Sequence, residues 1–510
     1  MNCHRRLLLS LIPLICAAVR HVAGGKILFH GMHNSKSHIG SMLPLAKSLV
    51  ANGHEVHFLE TTYASKPFKF PPGFKTHFVQ LPNDGSFEKQ FLMGMWTMVL
   101  EPQMMAALFV AGDQAFAESY DSHRSVIEPL VNTTWDMVVA DELFGMGAYA
   151  LATYHYEQKK TPLVVVSTTC ILQPFTWLIS LGAPAHSRPS MWFPYAENLA
   201  YDVTNIWMRG KAAIDETISG LACFYQIENY HLESFKRLGI ERFTFYEAWN
   251  RASFNFHEDI LPMAFPSPRS ADVVNIGFHC SGTKALTEEW RLFVEDPKSK
   301  GTIVIAFGTN VVWEFAPKTI LDAFFETIKS LTEYRIVFSF NGKSIPQNLP
   351  PHVRVVSWCP QPELLAHNKT VLFVSHGGVK SLKETICTAT PVLYMPLFAE
   401  QATNAAAALQ LGFAQVLNKL NLTTQRLTTI VREMLDNPKY RERAAQVSRM
   451  YRDRIMDASE EGAFWIRRTI QYGTGRKPTF RRVGAELTWA QSLFAPYFAI
   501  GLIVVCVLSS

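Results

Sequence analysis

The sequence is short of charge, and this excludes some classes of protein. Charged residues make up 18% of the 510 residues, the formal net charge is only +5, and no basic run dominates the middle of the chain. A net charge so small for this length does not suggest a nucleic-acid partner. Hydrophobic residues make up 48%, which argues against disorder and is typical of a folded protein that handles a ligand. The length favours two or more domains.

Cysteine is also scarce, with eight residues in the whole chain. Cys3 and Cys16 fall in an N-terminal apolar segment, and Cys506 falls in a C-terminal one. The five others are odd in number and show no CxxC spacing: Cys170, Cys223, Cys280, Cys359 and Cys387. The pattern therefore indicates neither a metal-binding knuckle nor a disulfide framework.

Two terminal segments are typical of targeting to a membrane. Arg5 and Arg6 precede an uninterrupted apolar run at 7–19 and then small residues, which predicts a secretory signal peptide over residues 1–23. The segment 487–508 contains no charge. As a helix it would reach roughly 33 Å at ~1.5 Å per residue, about the thickness of a hydrocarbon core. We therefore predict a membrane-spanning helix there, with a buried C-terminal helix as the alternative.

The charges beside this predicted span disagree with a lumenal chain. Four basic residues precede the span and nothing charged follows it: Arg476, Lys477, Arg481 and Arg482. The positive-inside tendency would place them in the cytoplasm, but long domains led by a signal peptide translocate largely regardless of such charges. We therefore predict a chain that faces the secretory lumen. Three glycosylation sequons agree with this, at Asn132, Asn368 and Asn421.

Short apolar runs alternate with segments of helical period in both halves of the chain. The runs begin at Lys26, His54, Trp135 and Pro162 in the first half, and at Thr302, Tyr334, Val353, Val371 and Pro391 in the second. Such repeats predict parallel sheets covered on both faces, and two sets predict two doubly wound α/β domains. The Pro-rich segment 257–277 is the best linker candidate. Because ligands bind beyond the carboxyl ends of such strands, we expect a ligand in the cleft between the domains.

The segment VLFVSHGGVKSLKETICTATPVLYMPLFAEQATN, residues 371–404, leads from a strand through His-Gly-Gly into a helix. Gly377 and Gly378 let the backbone approach a ligand without a Cβ in the way, and unpaired amides at a helix start form an anion site. Ser381 adds a hydroxyl, and Glu384 offers a carboxylate that suits the paired hydroxyls of a ribose. A phosphate site and a ribose acceptor together indicate a nucleotide.

The positions around this segment complete a family signature. Trp358 ends another strand and offers a flat face for a base. Residues 358–404 resemble the donor-binding signature of the UDP-glycosyltransferases, the family that includes the UDP-glucuronosyltransferases. The matching positions are Trp358, Pro360, Gln361, His376, Gly377, Gly378, Ser381, Glu384, Pro391, Pro396, Glu400, Gln401 and Asn404. The sequence FGT at 307–309 resembles the family's first phosphate loop in the C-terminal domain.

The resemblance implies the GT-B fold, in which two Rossmann-like, doubly wound α/β domains face a cleft, with a C-terminal transmembrane helix in addition. It divides the chain into a signal peptide (1–23), an N-terminal acceptor-binding domain (24–270), a linker (271–282), a C-terminal UDP-sugar-binding domain (283–455), a C-terminal helical return segment (456–486) and the transmembrane helix (487–508). It also implies a single-pass protein of the endoplasmic reticulum membrane whose catalytic domains face the lumen.

The resemblance further assigns roles to individual residues. Trp358 would stack on uracil, and Gln361 would contact the nucleoside. The other donor contacts would be Thr309, His376, Gly378 and Ser381 to the diphosphate, Glu384 to the ribose, and Glu400, Gln401 and Asn404 around the sugar. Lys380 departs from the family, since many members have Asn or Gly there. It either adds a charge to the diphosphate or points into solvent.

Sugar transfer from UDP to a hydroxyl needs a base on the acceptor side, because the anomeric carbon becomes oxocarbenium-like. His30, His33 and His38 follow the first strand, and a histidine suits this role near neutral pH. The resemblance of SHIGSMLPLAKSLVANGHEV to the family's catalytic segment favours His38, with His33 in reserve. Asp141 occupies the place of the partner aspartate that holds the other ring nitrogen. The alternative role for Asp141 is a helix N-cap.

Three further features qualify this interpretation. No Asp-x-Asp pair occurs, so we expect no metal and no other cofactor, and backbone amides must hold the diphosphate. The sequence GMGAYA at 145–150 fits a dinucleotide fingerprint, but no acidic residue ends the next strand. We interpret it as close packing of a helix on the sheet. The role of the Met-rich segment 91–116 stays open: it could be a core helix, an adaptable wall for apolar acceptors or a membrane contact.

The predicted function is that of an inverting, metal-independent UDP-glycosyltransferase. It would move glucuronic acid or glucose from a UDP-sugar to a hydroxyl of a small lipophilic acceptor, with no nucleic-acid partner. No residue separates the two donor sugars, and acceptor identity and an oligomeric state stay open. The alternatives are a catalytically inactive UDP-sugar-binding protein and a nicotinamide oxidoreductase, the latter resting on residues 145–150 alone.

Overall fold

The computed structural model describes residues 24–31, 33–82, 86–170, 172, 187–192, 197, 200–343, 345, 348–472, 487–492 and 495–509. The predicted signal peptide and the basic residues at 476–482 lie outside the described residues. All predicted site residues lie within them.

The first half of the chain forms a parallel sheet. Its strands are β1 Lys26–His30, β2 Glu55–Thr62, β3 Phe74–Gln80, β4 Met137–Asp141, β5 Leu163–Ser167, β6 Phe254–His257 and β7 Val273–Asn275. They lie in the order β3-β2-β1-β4-β5-β6-β7. Every residue of β4 and β5 is buried, as expected for strands covered on both faces. The edge strand β7 falls inside the segment predicted as a linker, 271–282, and pairs with β6.

Helices connect these strands and cover the sheet. They are α1 Lys36–Ala51, α2 Ser86–Gly94, α3 Met105–Ser122, α4 Arg124–Asn132, α5 Met146–Lys159, α6 Ile206–Tyr230, α7 Glu233–Arg237, α8 Phe245–Arg251 and α9 Leu261–Ala264, with a 3-10 turn at Pro102–Met104. The hydroxyl of Ser35 caps α1 by accepting the amide of His38 at 3.4 Å. The cap therefore fixes the first turn of α1, where the predicted base lies.

The second half repeats this plan. Its strands are β8 Thr302–Ala306, β9 Arg335–Ser339, β10 Val353–Val356, β11 Thr370–Ser375, β12 Val392–Tyr394 and β13 Ala414–Val416, all paired in parallel in the order β10-β9-β8-β11-β12-β13. Its helices are α10 Glu288–Val294, α11 Lys318–Ser330, α12 Gln361–Ala366, α13 Val379–Cys387, α14 Gln401–Gln410, α15 Thr424–Asp436 and α16 Lys439–Arg452, with a 3-10 turn at Trp313–Phe315. Both sheets thus have the doubly wound order of Rossmann-like domains.

After the second domain the chain returns to the first. Helix α17, Ala458–Tyr472, packs on α1, and its residues Ala463 and Ile466 share a hydrophobic core with Leu45 of α1 and Ile27 of β1. The returning helix therefore covers one face of the N-terminal sheet.

The C-terminal segment differs from its prediction. It forms two short helices, α18 Trp489–Ser492 and α19 Ala495–Ser509. At ~1.5 Å per residue, the 15 residues of α19 extend about 22 Å, short of a hydrocarbon core of ~30 Å. The transmembrane helix predicted at 487–508 is not found, since no helix among the described residues is long and apolar enough to cross a membrane.

A disulfide joins Cys280 to Cys387, with 5.7 Å between their Cα atoms. Cys387 is the last residue of α13, and Cys280 follows β7. The odd count and the lack of CxxC spacing therefore misled the sequence interpretation, because these cysteines lie 107 residues apart and only the fold brings them together. Cys170, Cys223 and Cys359 are buried and unbonded.

The Met-rich segment divides into two parts with different partners. Met95 and Trp96 lie in the core of the second domain, where the rings of Trp96 and Trp313 are 5.0 Å apart and the Trp96 indole donates to the carbonyl of Val312 at 3.0 Å. The ammonium of Lys419 donates to three nearby carbonyls, those of Met95, Met98 and Leu397. Helix α3 instead belongs to the core of the first domain. The loop around Trp96 is therefore an anchor between the domains.

Replacing Trp96 with alanine is expected to lower the free energy of unfolding by ~3–5 kcal/mol, because a fully buried indole is lost and a cavity remains. Met93 lies in the same segment but is 53% exposed, so Met93→Ala is a matched control expected to change stability by less than ~0.5 kcal/mol. Urea unfolding measures both. Equal effects for the two variants would contradict the anchor.

Candidate active site

The strand orders of the two sheets predict where a site can lie. Each order reverses at one place, between β1 and β4 in the first sheet and between β8 and β11 in the second. Ligands of open α/β sheets bind in the crevice at such reversal points, beyond the carboxyl ends of the strands. The carboxyl ends of these four strands and the segments that follow them carry His38, Asp141, Thr309 and His376. The topology thus concentrates residues from distant parts of the sequence.

His38 and Asp141 form a hydrogen-bonded pair. Nδ1 of His38 lies 2.6 Å from Oδ2 of Asp141, and Asp141 is completely buried at the end of β4. The hydroxyl of Thr168, just after β5, donates to Oδ1 of Asp141 at 2.9 Å and lies 2.8 Å from the same His38 nitrogen. Sequence reasoning missed Thr168, although it ends the apolar run beginning at Pro162 and so lies at the same sheet edge.

This geometry assigns the proton positions on the histidine. A carboxylate only accepts hydrogen bonds, so Nδ1 of His38 carries the proton that faces Asp141. The single hydroxyl proton of Thr168 is directed to the other carboxylate oxygen. Nε2 of the neutral imidazole is then unprotonated, which is the state that a general base needs.

The two other histidines after β1 have different surroundings. The ring of His30 lies 3.0 Å from the carbonyl of Leu59, and burial lowers the pKa of His30 to about 4. The ring of His33 packs edge-on against Tyr63, with centroids 6.2 Å apart. His38 is therefore the histidine that the fold joins to Asp141.

Two glycine-containing loops face each other at the reversal point of the second sheet. Gly308 and Gly377 both have positive φ angles, +71° and +96°, which side chains rarely permit. The His376 ring lies between these loops, and a Cβ on Gly308 would come within 3.0 Å of it. Burial lowers the pKa of His376 to about 4, so the ring is neutral at neutral pH. Thr309 is exposed on the first loop. With Gly378 as the N-cap of α13, the loops can bind an anion.

The predicted nucleoside residues form a connected group. The amide of Gln361 donates to a carboxylate oxygen of Glu384 at 2.6 Å and to the hydroxyl of Ser381 at 3.3 Å. Burial raises the pKa of Glu384, whereas the Gln361 hydrogen bond opposes this change. Trp358 has 72% of its surface exposed, which leaves its ring available to stack on a base.

Replacing Glu384 with alanine is expected to weaken UDP binding by about 10- to 100-fold, because a hydrogen-bonded carboxylate contributes ~1.5–3 kcal/mol. Isothermal titration calorimetry with UDP measures this. Glu442→Ala removes an exposed glutamate of the same domain and should bind UDP like the wild type. Unchanged affinity in both variants would remove Glu384 from the nucleotide site.

The three residues predicted around the sugar have unequal access to it. Asn404 is completely buried and donates to the carbonyl of Gly377 at 2.9 Å, so it supports the glycine loop from behind. The side-chain oxygen of Gln401 accepts the amides of Leu397 and Phe398. Both residues thus support the loops around the donor site, and their contact with a sugar stays a prediction.

Glu400 lies at the strained entrance to α14. The residue before it, Ala399, has a φ of +53°, a conformation that is rare for residues with a side chain and often marks functional sites. Burial raises the pKa of Glu400, while backbone hydrogen bonds and, to a smaller extent, the nearby His38 act in the opposite direction. Glu400 of the second domain thus lies within electrostatic range of His38 of the first domain.

Other predicted features have clear places in the structure. Gly145 and Gly147 pack so closely on the Asp141 backbone and the Phe116 ring that a Cβ at either glycine would overlap with them. This is the close packing expected for GMGAYA.

The sequon residues Asn132, Asn368 and Asn421 are exposed. Within the described ranges, no group of three or more His, Cys, Asp or Glu side chains is arranged to hold a metal ion.

Two Rossmann-like sheets, each with its loops at the reversal point, are the architecture of the GT-B fold. Solved structures have the same fold: the glycotransferase of kitacinnamycin (TM-score 0.58, 17% identity, 88% of this chain and 99% of that chain) and glycosyltransferase VinC in complex with DTDP (TM-score 0.56, 18% identity, 87% and 99%). Residues 218–510 match the family model of UDP-glucoronosyl and UDP-glucosyl transferases, and the chain belongs to this family.

Relatives extend the similarity to nearly the whole chain. UDP-glucuronosyltransferase 1-2 of Rattus norvegicus is 25% identical over 496 residues, covering 95% of this chain and 89% of the relative. A UDP-glucuronosyltransferase of Pleuronectes platessa is 32% identical over 232 residues, covering 44% and 48%. These matches confirm the resemblance seen in the donor-binding signature, and the protein is a glycosyltransferase.

Proposed function

We propose that the protein transfers glucuronic acid or glucose from a UDP-sugar to a hydroxyl of a small lipophilic acceptor, with inversion at the anomeric carbon. The observation that carries this proposal is the 2.6 Å contact between His38 and the buried Asp141 at the edge of the N-terminal sheet. It supplies a base on the acceptor side, while the glycine loops of the second domain supply an anion site for the donor.

The proposed reaction is a single displacement. The acceptor hydroxyl gives its proton to Nε2 of His38 as its oxygen forms a bond to the anomeric carbon. The bond between that carbon and the β-phosphate oxygen breaks, and its electron pair stays on UDP. Asp141 stabilises the imidazolium that results, and amides at the start of α13 stabilise the diphosphate. One base and attack from the opposite face give inversion.

A small cavity, with room for about one water molecule, lies where residues of the first domain meet α14 of the second. It begins two residues after Thr168, and most of its lining is apolar: Cys170, Leu172, Pro189, Met191 and Leu261. Arg188 and Glu216 also line it, as does Thr403 of α14 in the second domain. A cavity of this size is too small to enclose an acceptor. The proposed lipophilic class of acceptor therefore rests on the family resemblance.

Release of UDP from UDP-glucuronic acid and from UDP-glucose, measured against a panel of apolar phenols and alcohols, tests the proposal. We expect turnover with at least one donor and an acceptor-dependent rate. UDP-sugar binding without turnover on any acceptor would instead favour the inactive donor-binding alternative. Turnover only with polar, charged acceptors would contradict the proposed acceptor class.

We further propose that the reaction needs no metal ion, in agreement with the lack of an Asp-x-Asp pair. Dialysis against EDTA is therefore expected to leave the rate of UDP release unchanged. Loss of turnover after EDTA and recovery on adding Mg²⁺ or Mn²⁺ would contradict this part of the proposal.

We also propose a lumenal, glycosylated protein of the endoplasmic reticulum that is attached to its membrane. The predicted signal peptide, the three exposed sequons and the disulfide support this, because disulfides persist in oxidising compartments. Endoglycosidase treatment should increase the mobility of the protein from cell membranes on gels. Unchanged mobility, or recovery in the cytosolic fraction, would contradict it.

A further inference from the structure

Lys380 lies at the cleft between the two domains. It is the second residue of α13, the helix that starts at the glycine loop. Its side chain crosses to the first domain, where the ammonium rests on Gly40 of α1, two residues after His38. A Cβ at Gly40 would overlap with this ammonium, so glycine provides the space that it occupies. The cation therefore lies between the predicted diphosphate site and the predicted base.

The charged groups around Lys380 already have other partners. Glu258 forms an ion pair with Lys383 at 3.1 Å, and Glu384 accepts the Gln361 amide at 2.6 Å. Both carboxylates attract the Lys380 ammonium, Lys383 repels it, and burial lowers the pKa of Lys380 to about 8. Among the described residues, the side chain of Lys380 has neither a hydrogen-bond partner nor an ion pair. It is thus a cation without an anionic partner, placed where an anion is expected.

UDP, the leaving group of the proposed reaction, is an anion that Lys380 could bind. As the bond from the anomeric carbon to the β-phosphate oxygen breaks, its electron pair adds negative charge to that oxygen, while the acceptor proton moves to His38. A fixed positive charge beside this oxygen is worth more in the transition state than in the bound donor. A helix start supplies only partial charges. A lysine on the first turn of the same helix adds a full charge.

We propose that Lys380 is a catalytic residue that binds the β-phosphate oxygens of the donor and stabilises the charge on UDP as it leaves. The inference rests on the proposed function, and it concerns a position at which this chain differs from the pattern of its family. Because Gly40 has no side chain, the ammonium has room beside α1 at the cleft.

The test compares Lys380→Met, which keeps the length of the side chain but removes its charge, with Lys380→Arg, which keeps the charge. Lys380→Met is expected to weaken UDP binding about tenfold in calorimetry and to lower kcat about 100-fold, with the KM for the acceptor unchanged. Lys380→Arg should recover most of the loss. Lys318→Met, which removes a lysine that is exposed on α11, is the control and should match the wild type.

Measuring the Lys380 variants with UDP-glucose and with UDP-glucuronic acid distinguishes binding of the diphosphate from recognition of the sugar. A diphosphate role predicts the same loss with UDP-glucose and UDP-glucuronic acid. A loss confined to UDP-glucuronic acid would assign Lys380 to the sugar carboxylate and overturn the proposal, as would wild-type UDP affinity in Lys380→Met. Calorimetry needs no turnover, so a wild type that binds UDP but transfers no sugar would refute the proposed function while still testing Lys380.

Discussion

Replacing His38 with alanine is expected to lower kcat by about 10²- to 10⁴-fold, the range typical of a lost general base. UDP affinity should stay at the wild-type value, because the predicted nucleotide contacts all come from the second domain. A coupled assay of UDP release gives kcat, and calorimetry gives the affinity. The expected combination is a protein that binds its donor normally and transfers the sugar very slowly.

The neighbouring histidine provides the control for this experiment. His33 lies in the turn just before α1 but packs against Tyr63, so His33→Ala should retain most of the activity. The opposite result, with His33→Ala inactive and His38→Ala active, would transfer the role of base to His33. If both variants were as active as the wild type, neither His33 nor His38 could be the base.

Replacing Asp141 with asparagine is expected to have an effect of similar size, about 10²- to 10⁴-fold on kcat, although no volume is lost. An amide nitrogen facing Nδ1 of His38 would favour the tautomer that carries its proton on Nε2, and that tautomer cannot accept a proton from the acceptor. Thr168→Val, which removes only the hydroxyl that orients Asp141, should cost less, about tenfold.

The next residue in the chain offers a matched control for Asp141→Asn. Burial raises the pKa of Glu142 to about 8, so at neutral pH this side chain is mostly protonated and uncharged. Glu142→Gln therefore changes neither charge nor shape, and its oxygen can still accept the amide of Leu172. We expect near wild-type activity. Comparable losses in both variants would indicate a general disturbance of the loop after β4 rather than a tautomer effect.

The part of the site that could be predicted from sequence consists of local patterns. An apolar run followed by His-Gly-Gly and a helix is a strand, a tight turn and a helix start, and all three depend on residues close together in the chain. The same holds for the alternation that predicts two doubly wound domains. The loop at 376–378 could therefore be assigned to anion binding before any contact was known. The same signature includes Asn404, but only the fold shows that its side chain donates to the carbonyl of Gly377 behind the loop.

The amino-acid sequence by itself indicated nine of the thirteen strands that the structure describes, the glycine loops and the family, because backbone preferences and motif spacing act over short distances. Only the tertiary structure decided which distant side chains meet: Thr168 at Asp141, Cys280 at Cys387, Trp96 in the second domain and Lys380 over Gly40. These contacts join residues between 27 and 340 positions apart. Their formation depends on how two sheets and the cleft between them pack, which no local pattern of residues specifies.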